Sequence, residues 1–187
     1  MKSKRILVGG IGNIFLGDDA FGVEVAQRLM RRPQGDGVRI ADFGIRGIDL
    51  VYALLEPWDV VVLIDAMPRN HPPGTLFLVE PQLEREHQMP MASLAVEAHS
   101  MNPAQVLRAA MAMGAPLKKV LIVGCEPQAA SPDEMAMGLS PAVSAAIDPA
   151  VNMVESLIAR ILQNEPQFTD CPAAGQELLS CGPKNNS

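Results

Sequence analysis

The sequence predicts an α/β fold built on a mostly parallel sheet of about five strands, and three observations predict it. Arg5-Ile6-Leu7-Val8 opens the chain with an apolar run that stops at Gly9-Gly10, Val60–Ile64 is an unbroken β-branched and Leu run, and helical periodicities alternate with such runs along the chain. Continuous apolar runs belong to strands covered on both faces, which is the condition of parallel sheets. Helices placed between them supply the crossovers.

Taken in order, the first strand leads through Gly9, Gly10 and Gly12 to Asp18-Asp19, and a helix is expected from about Asp19 to Arg32, with Val25, Leu29 and Met30 on one face. Asp18 is suited to cap it, and Asp19 then lies near its positive end, where an ionised carboxylate is favoured. Pro33 and Gly35 break the pattern before a short strand, Val38–Ala41, that ends at Asp42-Phe43-Gly44. A helix from about Gly47 to Leu55 stops at Pro57, and Val60–Ile64 follows as the central strand with Asp65 at its end. Thr75–Val79 is a further strand whose direction the sequence leaves open, and the weakly periodic stretch from Glu80 to His99 reads as a long loop. Asn102-Pro103 has the form of a helix start, with Asn capping and Pro at the first helical position. Lys119–Gly124 is another buried strand, and a last helix from Ser140 to Leu162 carries Val143, Ile147, Val151, Val154, Leu157, Ile158 and Ile161, with Pro149 expected to bend or split it. Residues 1–163 are expected to form a single domain, and residues 164–187 a flexible C-terminal tail without a periodic apolar face.

Composition narrows the function. At 187 residues and 48% hydrophobic content the chain suits one core. A net charge of -6 argues against a nucleic-acid partner, which would require a basic patch. No apolar run approaches the ~18 residues of a membrane span, and Met1–Arg5 leads into a strand rather than a cleavable signal, so no membrane partner and a cytoplasmic location are expected. The three cysteines, Cys125, Cys171 and Cys181, lack the spacing of a zinc site or a disulfide framework. No nucleotide cofactor is expected either: Phe15 stands where a dinucleotide fingerprint needs glycine, and no Lys follows Gly17 as a phosphate loop requires.

In open α/β sheets ligands gather beyond the carboxyl ends of strands. Three residues meet that condition together: Asp19 after the first strand, Asp65 at the end of the central strand, and His99 directly before a capped helix. Two carboxylates and an imidazole suit a divalent metal of borderline character, such as nickel or zinc. Each residue also has a plain structural reading, as a cap, a turn residue or a partner of a loop carbonyl. His71 and His87 are loop alternatives to His99. Asp42 is a further candidate at a strand end, with an Asx-turn as its competing role, and Glu126 is a weaker one.

Gly10-Ile11-Gly12-Asn13, Gly17-Asp18-Asp19-Ala20-Phe21-Gly22, Asp42-Phe43-Gly44-Ile45-Arg46-Gly47, Ile64-Asp65-Ala66, Glu97-Ala98-His99-Ser100 and Gly124-Cys125-Glu126-Pro127 together resemble the nickel-iron hydrogenase maturation proteases, over Arg5 to about Leu162. The resemblance implies a three-layer fold, a twisted mostly parallel sheet with helices on both faces. It also implies an endopeptidase that removes a C-terminal extension from the hydrogenase large-subunit precursor after nickel insertion. Its metal-contacting positions fall on Asp19, Asp65 and His99; relatives often carry Glu where Asp19 stands, one methylene longer. Nickel is then supplied by the substrate, and Asp42 joins the catalytic candidates. A monomer is the expected state. A hydrolase with its own permanent zinc or manganese, or a carrier that docks on a metallocentre without cutting, are the competing classes.

Overall fold

The computed structural model describes residues 4–83, 102–129 and 138–163. Five strands, β1 (Ile6–Ile11), β2 (Val38–Gly44), β3 (Val60–Ala66), β4 (Leu76–Val79) and β5 (Val120–Cys125), form one sheet in the order β2-β1-β3-β5-β4. All neighbours are parallel except β4, which runs antiparallel to β5. Among the described residues the helices are α1 (Phe21–Met30), α2 (Gly47–Leu54), α3 (Pro103–Ala112) and α4 (Pro141–Leu162), and a short 3-10 helix, Gly17–Ala20, precedes α1. His87, His99, Cys171, Cys181 and the segment Pro166–Ser187 lie outside the described residues.

The period-two alternation of each strand divides the core into two layers. Ile6, Val8, Val62, Ile64, Leu121 and Val123 point to one face, where α1 contributes Phe21, Val25 and Leu29 and α4 contributes Val143, Ile147, Val151 and Val154. Leu7, Ile11, Val61, Leu63, Val120 and Ile122 point to the other, under Leu50 and Leu54 of α2 and Val106 and Leu107 of α3. Each such side chain contributes roughly 1.5–3 kcal/mol by leaving water, so both faces must be covered, as the apolar runs require.

Several elements differ from the sequence expectation. β2 and β3 run on to Gly44 and Ala66, so that Asp42 and Asp65 are strand residues paired with Gly10 and Gly124. α1 begins at Phe21, two residues after Asp19, and α4 is one helix through Pro149. The proline deprives the Ala145 carbonyl of its helical donor, but both residues are exposed, so water can satisfy that oxygen and the helix need not split. Asn102 caps α3 as expected, its Oδ1 accepting from the Ala104 amide at 2.9 Å. Among the described residues α4 alone is long and apolar enough to cross a membrane, with a mean hydropathy of 1.3. Its apolar stripe lies in the core, and its Asp148 and Glu155 pair with Arg28 and Arg32 of α1.

The start of α1 is pressed onto the sheet. A Cβ on Gly22 would lie 2.1 Å from the Ile64 carbonyl oxygen and 2.3 Å from that of Ile11, so only glycine allows the helix to begin directly over the ends of β1 and β3. That approach fixes where the carboxylates ahead of α1 stand.

Candidate active site

Beyond β1 the chain turns at Gly12 (φ +137°), where a Cβ would lie 1.8 Å from the Asp19 carbonyl oxygen. The loop then folds around Asp19. The Asn13 amide donates to Asp19 Oδ2 at 2.7 Å, the Leu16 amide to the Asn13 carbonyl at 3.0 Å, and the Asp19 amide to the Leu16 carbonyl at 3.1 Å. An amide aimed at a carboxylate oxygen fixes its rotamer. Glycine therefore serves backbone approach here, and the loop's amide holds an acid rather than a phosphate.

Asp65 stands on the neighbouring strand with 6% of its surface exposed. Burial, and then the negative charge of Asp19, push its carboxyl well above the usual carboxylate range, against a smaller opposing effect of the Ala66 amide. The two carboxylates thus act on one another in a place poorly served by water. A cation, or a proton, is the counter-charge such a pair calls for.

Asp18 does not cap α1, whose N-cap is Ala20 without a side-chain bond. Its oxygens instead accept from the Ser140 amide at 2.6 Å, the Ser140 hydroxyl at 2.9 Å and the Gln128 amide at 2.8 Å. It clamps the acidic turn to the loop after β5 and to the residue that caps α4. No signal in the sequence could have shown this, because the partners are 110 and 122 residues away. Asp42 accepts from Gln27 Nε2 of α1 at 3.0 Å, and Gln27 is a site neighbour that sequence reasoning passed over. Glu126 is buried, and its Oε2 accepts from the Arg69 amide at 2.7 Å, which gives it a loop-tying role. His71 lies on the exposed loop before β4, with its ring 6.2 Å from that of Phe77. Cys125 is buried, and burial followed by the charges of Asp18 and Glu126 pushes its thiol up to about 12, so it is no nucleophile.

Among the described residues no group of three His, Cys, Asp or Glu side chains forms a cation site. Of the three sequence candidates, Asp19 and Asp65 are brought close enough for their charges to interact, and His99 is outside the described residues.

The sequence profile of the hydrogenase maturation proteases matches residues 23–157. The chain belongs to the hydrogenase maturation protease family. It is 32% identical over 152 residues to the hydrogenase 2 maturation protease of Escherichia coli, covering 80% of this chain and 88% of that one. A putative hydrogenase maturation protease of Methanocaldococcus jannaschii is 28% identical over 82% of this chain and 96% of its own length. Among solved structures, the hydrogenase maturating endopeptidase HybD of E. coli superimposes with a TM-score of 0.63 at 29% identity, over 84% of this chain and 93% of that one. The nickel-iron hydrogenase maturation protease HycI of Thermococcus kodakarensis gives 0.56 at 27% identity, over 87% and 94%. The family's α/β fold and its endopeptidase character are this chain's as well.

Proposed function

We propose that this protease removes the C-terminal extension of a nickel-iron hydrogenase large-subunit precursor, and that nickel already seated in that precursor is the feature it recognises. The observation that carries the reading is Asp65, a buried carboxylate whose charge is opposed both by its burial and by Asp19 beside it. A divalent ion presented by a partner removes that opposition, so docking of a metallated substrate is favoured over docking of an empty one. In this reading Asp19, Asp65 and His99 contact the nickel, carboxylate and imidazole donors being suited to it. The ion belongs to the substrate. Its contacts bring the scissile peptide into register, and its charge polarises the peptide carbonyl or an attacking water. In the same reading Asp42, which accepts from Gln27, helps to orient that peptide.

The test is the mass of purified large-subunit precursor, prepared with and without nickel, after incubation with the protein. Cleavage of the nickel-loaded form only is expected, and both Asp19→Asn and His99→Ala are expected to abolish it while leaving the melting temperature near wild type. Equal cleavage of the nickel-free precursor would reject nickel recognition. Stoichiometric zinc or manganese in the purified protein, required for activity, would replace it with a permanently metallated hydrolase.

A further inference from the structure

Three consecutive large apolar side chains, Ile14, Phe15 and Leu16, are 53%, 70% and 59% exposed on the loop that holds Asp19. Soluble proteins seldom present such a run to water unless it is used, because each side chain loses apolar burial that a polar residue would not need. The run adjoins the site on both sides: the Asn13 amide before it bonds Asp19, and the Leu16 carbonyl at its end accepts the Asp19 amide. A second apolar segment leaves the sheet at the same point. The Gly12 amide donates to the Gly44 carbonyl at 3.2 Å, and Gly44 is followed by Ile45, 57% exposed, and Ile48, 40% exposed on the first turn of α2.

We infer that Ile14, Phe15, Leu16, Ile45 and Ile48 form an apolar collar that binds the folded surface of the substrate protein around its metal. The inference rests on the proposed function, since it names the docking surface of that same site. The occupant follows from position. Anything that brings a cation to Asp19 must lie against the loop that holds it through the Asn13 amide and the Leu16 carbonyl, so the substrate covers the collar whenever it reaches the carboxylates. The chemistry agrees: an apolar surface pressed around the two acids excludes water and strengthens their attraction to the ion. A free C-terminal peptide would need only the strand ends. A collar of five exposed apolar residues fits a folded face, whose buried centre supplies most of the affinity.

The experiment compares wild type with the double variant Phe15→Ser/Leu16→Ser on the full-length nickel-loaded precursor. Cleavage by the wild type is the control for the proposed function; if it fails, that reading falls before the collar is tested. With cleavage established, the collar predicts KM raised about tenfold or more, kcat within about twofold, an unchanged melting temperature, and recovery of KM in Phe15→Leu. An unchanged KM overturns it. So does a lowered melting temperature, which would mean that another segment of this chain packs on the loop, and so does a wild-type dimer that the double variant dissociates, which would assign the collar to a second copy.

Discussion

At the residue scale the site is a matter of which carboxylate is kept dry. Asp19 is held by the Asn13 amide, whereas Asp65 is buried and faces the charge of Asp19. Because the folded protein raises the proton affinity of Asp65 above that of the unfolded chain, the stability tied to it is fully present below the ordinary carboxylate range. It is lost as pH rises through the raised folded value. Asp65→Asn removes the charge and keeps the shape. In metal-free protein it is expected to raise the melting temperature at neutral pH and to flatten the fall in stability over that window, while abolishing cleavage. Thermal melts across the pH range check this, and a variant less stable than wild type at neutral pH would contradict it. Both acids stand out in the sequence as candidates because their placement is local, Asp65 at the end of β3 and Asp19 after the glycine turn that follows β1. The difference between them does not, since it comes from layers of α1, β1 and β5 folded around Asp65 from distant parts of the chain.

At the element scale, the turn that carries Asp19 is held from two directions. Gly22 lets α1 sit on the ends of β1 and β3, and Asp18 ties the preceding turn to the start of α4 and to the loop after β5. The exposed ion pairs between α1 and α4 add little, as partly exposed pairs of this kind typically contribute under about 1 kcal/mol. Asp18→Ala strands the Ser140 amide and hydroxyl and the Gln128 amide. Because the Ser140 groups are only partly buried and the Gln128 amide is exposed, a loss of about 1–2 kcal/mol is expected, seen as a melting temperature lower by about 2–8 °C. The companion Arg28→Ala should shift it by less than about 2 °C. Equal effects of the two would show that Asp18 is no clamp. The helices and strands themselves were readable from periodicity, and the cap on α3 from Asn102-Pro103. The role of Asp18 was misread as a local cap, because capping is the commonest use of an Asp before a helix and its actual partners are remote in sequence.

At the scale of the whole molecule, the apolar runs announced a sheet covered on both faces, and the two core layers fulfil it. The strand order and the antiparallel β4 could not be read in advance, since a short, half-buried strand carries no mark of direction. The candidate carboxylates Asp19 and Asp65 lie at the rim of this sheet rather than in its interior, so stability and catalysis should be separable. Leu121, fully buried in the layer beneath α1 and α4, makes the core half of that comparison. Leu121→Ala leaves a cavity and is expected to lower the melting temperature by about 5–20 °C. The strand ends that position Asp19 and Asp65 are held by backbone pairing and by the Gly22 contact, neither of which the substitution touches. Cleavage of the nickel-loaded precursor well below the new melting point should therefore stay within about twofold of wild type. Asp19→Asn is expected to behave in the opposite way, with an intact melt and no product. If Leu121→Ala were folded yet inactive at low temperature, the carboxylates would depend on core packing, and the rim could not be treated as a site set on an independent scaffold.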